Sequence, residues 1–289
     1  MHVAVRKHFT HNTDIGQNFL IDGTVAAFMA ERAELGESDV VLEIGPGDGA
    51  LTRALLRTPL SKLYALEVDE RLRECLENIA SRDGRCFPVF CDAVRFDYKS
   101  GLDPLPSRII ANLPYHITTP LLWTFLEQLA PLGAGYMLLM VQKEAAARMA
   151  SSAGHKDRSP LGITIEAMGE ANVLRTVPPS AFNPQPKVTS AIIEIKISKN
   201  INIANDRKWR RLLAASFSQR RKTLCNNWCA GFGAFGMSRD KALEILSRHG
   251  LSPLARAEEL PLEKWFGLME EPALPLNASE KEDKNVLES

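Results

Sequence analysis

The sequence predicts an α/β protein: a mostly parallel, seven-stranded sheet with crossover helices, followed by a small all-helical domain. Three observations carry this expectation. Short apolar, β-branched runs alternate with segments of helical spacing from residue 40 to about 142. Buried strands that alternate with helices read as a parallel sheet. Two further strand candidates then flank a proline-rich loop, and beyond residues 198–206 every apolar segment has helical spacing.

The elements follow in order. VVLEIG (40–45) is a β-branched run ending in glycine, and ALTRALLRT (50–58) has helical spacing. KLYALEVD (62–69) is the second strand candidate, followed by the helical ERLRECLENIAS (70–81). CFPVFCDA (86–93) is a third strand weakened by its proline. SRIIANLP (107–114) is a fourth, followed by the helical TPLLWTFLEQLA (119–130), and AGYMLLMVQ (134–142) is a fifth. The last two candidates lie in NVLRTVPPSAFNPQPKVTSAIIEIKI and can close the sheet antiparallel. RKWRRLLAASFSQ, SRDKALEILSRHG and PLEKWFGLMEE are the later helices. The expected domains are therefore 1–200 and 201–275, with a polar tail at 276–289 that is too poor in large apolar residues to order.

Composition excludes several classes. The 289 residues are 45% hydrophobic with zero formal net charge, so any nucleic-acid partner needs a local patch of charge. The five cysteines (Cys75, Cys86, Cys91, Cys225, Cys229) contain no C-x-x-C pair and are odd in number. Free thiols in a reducing compartment, the cytoplasm, are the expectation, with no disulfide framework and no metal site. No apolar run approaches the ~18–20 residues of a membrane span, and the basic N-terminus lacks a signal-like apolar stretch.

Glu43-Ile44-Gly45-Pro46-Gly47-Asp48-Gly49 joins the first strand to a helix. Its glycines let the backbone turn sharply and approach a ligand, and a helix N-terminus favours an anionic group such as a carboxylate. Taken alone the loop is ambiguous. Gly45, Gly47 and Ala50 also satisfy the dinucleotide pattern, and a ligand-free turn has the same look. Two acids narrow the choice. Glu67 ends the second strand at the spacing that grips ribose hydroxyls, with Asp69 as an alternative beside it. Asp92 ends the third, where it can reach an adenine amine. A nucleoside with a short anionic tail fits this set, and S-adenosylmethionine is such a molecule.

Asn112-Leu113-Pro114-Tyr115 ends the fourth strand and is the most informative tetrapeptide. An adenine exocyclic amine is a poor nucleophile, because its lone pair is delocalised into the ring. Acceptors on both its hydrogens, the Asn112 side-chain oxygen and the Leu113 carbonyl, would pyramidalise the nitrogen and aim it. Pro114 stiffens the backbone that presents that carbonyl. Tyr115 offers a face on which a base can stack, worth ~1–3 kcal/mol.

With these residues in hand, the chain resembles the ribosomal RNA small-subunit adenine N6,N6-dimethyltransferase family over nearly its whole length. Four separated motifs carry the resemblance. They are the E-x-G-x-G-x-G loop with Asn112–Tyr115; Asp14–Leu20, similar to a G-Q-N-F-L segment that covers the cofactor; Val177–Val188, similar to a V-P-P-x-x-F-x-P-x-P-K-V loop; and Phe217–Asn226 (FSQRRKTLCN). The resemblance implies a Rossmann-like class I methyltransferase domain with a helical RNA-contacting domain. It implies S-adenosyl-L-methionine contacts at Asn18, Leu20, Gly45, Glu67, Asp92 and Asn112, and makes Phe182 the second aromatic wall of the base pocket. It also implies dimethylation of adenine N6 in small-subunit ribosomal RNA, at two adjacent adenines and linked to subunit assembly, by a monomer acting on a 30S assembly intermediate. Cys91 replaces a usual glycine, His116 a frequent asparagine, and the usual Lys-rich start before Gly16 is missing.

Arg207, Lys208, Arg210, Arg211, Arg220, Arg221 and Lys222 cluster after the domain border. Alone they read as a solvated helix face; beside an RNA-modifying pocket they read as a phosphate-binding surface. Lys143 and Arg148 can extend it, and His155, Lys156 and Arg158 lie in a small polar loop able to move on binding. Three alternatives stand. One is a large-subunit RNA methyltransferase of the macrolide-resistance type, against which Leu113 and FSQRRKTL speak. The others are a non-catalytic RNA-binding assembly factor and a nicotinamide-dependent dehydrogenase.

Overall fold

The computed structural model describes residues 18–199 and 202–276. Asp14–Gln17 of the predicted cofactor-covering segment, and the predicted tail from residue 277 onward, lie outside these. The chain runs through β1 (Phe19–Leu20), α1 (Gly23–Arg32), β2 (Val40–Ile44), α2 (Ala50–Leu55), β3 (Lys62–Glu67), α3 (Arg73–Ala80), β4 (Cys86–Phe90), α4 (Tyr98–Gly101), β5 (Arg108–Asn112), α5 (Thr118–Thr124) and β6 (Tyr136–Gln142). It continues through α6 (Lys143–Met149), α7 (Pro160–Met168), β7 (Gly169–Val177), β8 (Phe182–Asn183), β9 (Ser190–Ile197), α8 (Arg207–Phe217), α9 (Leu224–Phe232), α10 (Arg239–Arg248) and α11 (Leu262–Met269).

Seven strands form one sheet in the order β4-β3-β2-β5-β6-β9-β7, while β1 and β8 pair separately. The β4, β3, β2, β5 and β6 pairings are all parallel, and β9 runs antiparallel to β6. This is a Rossmann-like sheet. Starting from β2 the chain moves outward to β4, then returns to place β5 on the other side of β2. Ligands of such sheets bind at that reversal, beyond the carboxyl ends of the strands. The loops after β2 and β5 meet there, and these carry the glycines and Asn112–Tyr115.

The β2 positions are all buried, as a strand covered on both faces requires. Val41, Leu63, Ile110, Leu138 and Ile192 pack with Val25 and Met29 of α1 and Leu51 and Leu55 of α2. Pro88 sits in β4, which is an edge strand, so its missing N–H breaks no ladder.

The described residues divide into two compact units: 18–146 with 172–197, and 147–171 with those from 198 to 276. The sequence predicts a single border near residue 200. The structure instead groups 147–171, which includes α7, with the later helices. The reason lies in burial. Ile163 and Ala167 of α7 join the core built by Trp209, Trp228, Phe232 and Trp265. Two of the three indole groups there are satisfied: Trp209 donates to Thr164 Oγ1 at 2.9 Å and Trp228 to Ser216 Oγ at 2.9 Å, while the buried Trp265 N–H has no hydrogen-bond partner among the described residues. Leu276, assigned to the tail by sequence, is buried in the same core.

Candidate active site

Gly45 and Gly47 adopt positive φ, 65° and 58°, which L side chains rarely tolerate. A Cβ on Gly47 would also stand 2.9 Å from the Phe19 ring. On Gly45 it would meet Pro114 Cδ at 3.6 Å, so the glycine loop lies directly against the Asn112–Tyr115 turn. The Gly45 N–H donates to the Leu66 carbonyl at 2.9 Å and ties the loop to β3. Helix α2 has only six residues, so its N-terminal field is weaker than the sequence suggested.

The Glu67 carboxylate organises this crossing. Its Oε2 accepts from the Gly47 N–H at 3.1 Å, and its Oε1 from the Val68 and Asp69 N–H groups at 2.9 and 3.0 Å. A carboxylate has about four acceptor positions, so one remains for a ligand hydroxyl. Burial raises its pKa, and the three N–H donors oppose that rise. Asp69, open as an alternative in the sequence, is engaged elsewhere: Arg71 donates to it through Nε at 2.8 Å and Nη2 at 2.6 Å. Strand β3 stops at Glu67, so strand alternation no longer governs where Asp69 points. Asp92 stands just past β4 with its side chain 50% exposed, its Oδ1 accepting from the Val94 N–H at 2.9 Å.

The Asn112–Tyr115 turn is pinned at several points. The Leu113 N–H donates to the Met140 carbonyl of β6 at 3.0 Å. The Pro114 carbonyl accepts from Ile117 N–H at 3.2 Å and Thr118 Oγ1 at 3.1 Å. The Tyr115 hydroxyl lies 2.6 Å from Ser190 Oγ. Phe182, on β8 opposite Leu20 of β1, is 1% exposed.

One cavity of about 250 Å³ joins these parts. It is lined by every residue the sequence nominated for cofactor or base: Asn18, Leu20, Gly45, Glu67, Asp92, Asn112, Leu113, Pro114, Tyr115 and Phe182. Glu43 and Cys91 are two of the lining residues outside that list. Glu43, within the motif but given no role, is fully buried, accepts from Thr52 Oγ1 at 2.8 Å, and is pushed by burial to a pKa of about 8. Its acidity in an otherwise apolar strand, VVLEI, was the available signal. Cys91 has its thiol raised to about 11 by burial and by Asp92, so it stays protonated at neutral pH.

The charge of this wall decides its chemistry. Its carboxyl groups are Asp48, Glu67 and Asp92, with Glu43 holding its proton at neutral pH, and His116 is the one basic residue. Such a wall repels a pyrophosphate and favours a ligand carrying positive charge. S-adenosylmethionine, with a sulfonium and an ammonium, suits this donor set; a nicotinamide dinucleotide does not.

The basic residues fare differently. Arg207, Arg220, Arg221 and Lys222 are exposed and Lys208 half-buried. Arg210 is half-buried, and desolvation lowers its pKa. Arg211 contradicts the surface reading. It is 7% exposed, with its guanidinium 4.5 Å from the Phe235 ring centre, because α8 turns that face to the core. Nor is there one cluster: Arg207 starts α8 while Arg220–Lys222 follow its end, about 15 Å further along at 1.5 Å per residue. Arg158, expected in a movable loop, is buried and paired with Glu166 at 2.8 Å. Among the described residues no group of three His, Cys, Asp or Glu side chains is placed to hold a metal, and no helix is long and apolar enough to cross a membrane.

Comparison with known proteins adds the family. The model of the ribosomal RNA adenine dimethylase family matches residues 8–273. The chain belongs to that family. It is 34% identical over 270 residues to the ribosomal RNA small subunit methyltransferase A of Bacillus cereus (strain B4264), covering 90% of each chain. A dimethyladenosine transferase from Plasmodium falciparum superposes with a TM-score of 0.71 at 26% identity, over 86% of this chain and 95% of that one. The 23S rRNA methyltransferase ErmE shares the fold, with a TM-score of 0.65 at 24% identity over 89% and 99%. The dimethylase of this chain is thus an S-adenosylmethionine-dependent methyltransferase of ribosomal RNA adenine, and the dehydrogenase alternative falls.

Proposed function

We propose that this dimethylase modifies adenine N6 in small-subunit ribosomal RNA. The observation that carries the reading of the site is the Asn112–Tyr115 turn, pinned by β6 and opening on an acidic cavity with the nucleoside-binding carboxylates. Glu67 would hold the ribose hydroxyls of S-adenosylmethionine, Asp92 its adenine amine, and Asn18, Leu20 and Gly45 its remaining surface. That group supplies an electrophilic methyl at this point of the cavity.

The protein's residues do the rest. Tyr115 and Phe182 form the two aromatic walls that receive an unstacked adenine. Asn112 Oδ1 and the Leu113 carbonyl accept the two N6 hydrogens, localise the lone pair and orient it. Pro114 keeps that carbonyl fixed. After alkylation the amine is acidic enough to release its proton to water, so no strong base is needed. The monomethylated amine keeps one hydrogen for Asn112 or Leu113, which allows a second round.

Arg207, Lys208, Arg220, Arg221 and Lys222 are the proposed phosphate contacts, acting as a monomer on a 30S assembly intermediate in the cytoplasm. The small-subunit assignment is supported by the Bacillus cereus relative and by Leu113 with FSQRRKTL. The test offers unmethylated 30S subunits and 23S RNA with labelled S-adenosylmethionine, followed by mass spectrometry of each RNA. Dimethyladenine in small-subunit RNA alone is expected. Label in 23S RNA alone would move the protein to the large-subunit class, and failure to bind S-adenosylmethionine by calorimetry would favour the assembly-factor reading.

A further inference from the structure

The Tyr115–Ser190 contact links residues 75 positions apart at 2.6 Å, a short hydroxyl–hydroxyl hydrogen bond. Ser190 is 0% exposed and opens β9, in register with Gln142 at the end of β6. Its neighbour Thr189 accepts from the Lys143 N–H at 3.0 Å, so the strand end is fixed. Tyr115, in contrast, lies on a single 3₁₀ turn, Tyr115–Ile117, and is half-buried beside the cavity. Its backbone is held by the Pro114 carbonyl contacts, but these leave its side-chain torsions free.

We infer that Ser190 is a positioning residue for the methyl transfer: its hydroxyl anchors the Tyr115 hydroxyl and so fixes where the ring that receives the target adenine stands. Sheet and turn are joined twice by this arrangement. The Met140 carbonyl of β6 fixes where the Leu113 backbone sits, and Ser190 of β9 fixes where the far end of the Tyr115 ring sits. Since β6 and β9 are paired along seven residues each, from Tyr136↔Lys196 to Gln142↔Ser190, carbonyl acceptor and aromatic wall are referenced to one rigid ladder. A ring free to swing about its Cα–Cβ bond would still offer apolar area, but N6 would lose its alignment with Asn112 and Leu113.

This inference rests on the reading of Tyr115 as a stacking wall, and the experiment separates the two. Ser190→Ala, Tyr115→Phe, their double variant and Tyr115→Ala are assayed on 30S subunits for kcat, KM and S-adenosylmethionine affinity. Ser190→Ala and Tyr115→Phe should each lower kcat about five- to tenfold, the worth of one hydrogen bond. S-adenosylmethionine affinity should stay unchanged, and the double variant should be no slower than the slower single one. Ser190→Thr, which keeps the hydroxyl, should recover most of the rate. A wild-type rate in Tyr115→Phe overturns the inference, even if Ser190→Ala fails to fold, as does a multiplicative loss in the double variant. A wild-type rate in Tyr115→Ala overturns the stacking reading itself and the inference with it.

Discussion

The cavity at the strand ends and the basic stretch of α8 with its following loop were both nominated from sequence, yet only the first assembled as nominated. Motif residues as far apart as Asn18, Glu67, Asp92, Asn112 and Phe182 converge on one wall. The seven basic residues, close in sequence, separate into an N-terminal group of an exposed Arg207 with half-buried Lys208 and Arg210, a buried Arg211, and an exposed loop at the far end of the helix. The difference is one of constraint. A residue at the carboxyl end of a parallel strand can only face the crevice beyond the sheet. A residue on a helix faces core or solvent according to a phase that charge alone does not set.

The sharpest way to break this comparison is in the cavity. Asn112→Ala should lower kcat by about 10²–10³-fold, as loss of an oriented acceptor does, with S-adenosylmethionine affinity by calorimetry mostly kept. A near-normal rate would leave the cavity with no better claim than the basic stretch.

Next comes Glu43. Its pKa rises from 4.5 to about 8 by burial, so the native state holds a proton that the unfolded state releases as pH climbs through this window. Native stability therefore falls between pH 4.5 and about 8 and levels off above. Glu43→Gln removes the effect and should gain about 3–4 kcal/mol relative to wild type between pH 5 and pH 8, measured by urea unfolding. An equal difference at both pH values would refute it.

Arg211→Ala sharpens the contrast on the other side. It should cost about 2 kcal/mol of stability through lost packing on Phe235 and Phe232, whereas Arg221→Ala should stay within about 0.5 kcal/mol. Equal melting temperatures for the two would restore Arg211 to the surface. The smallest effect belongs to the exposed loop. Arg221→Ala with Lys222→Ala should weaken RNA binding only several-fold and lower the salt slope by about 2, read from affinities at several salt concentrations.

The parallel strands were legible because complete burial enforces apolar, β-branched runs such as VVLEI. Helix α7, LGITIEAM, was not, because it is buried almost all round and so shows no amphipathic period. Helix α9, LCNNWCAGF, hides its core face behind two asparagines: Asn227 is buried and donates to the Ser216 carbonyl at 2.7 Å. In the site, Gly45, Glu67 and Asn112 could be read because each residue type serves one physical need. Glu43 was passed over because an acid in an apolar strand acquires a role only once its burial is known, and Ser190 because its partner lies 75 residues away.

The sequence by itself determined the α/β class, the strand ends that bear function, and the family to which four spaced motifs point. Those features follow from local rules: which side chains a buried strand tolerates, where glycine alone can turn, and what an aromatic amine needs in order to react. The tertiary structure alone decided that 147–171 is grouped with the helical unit, that Arg211 and Arg158 are buried, that the cofactor wall is acidic, and that Ser190 meets Tyr115. Each of these depends on which surfaces are hidden from water by residues distant in the chain, and burial is a property of the packed whole.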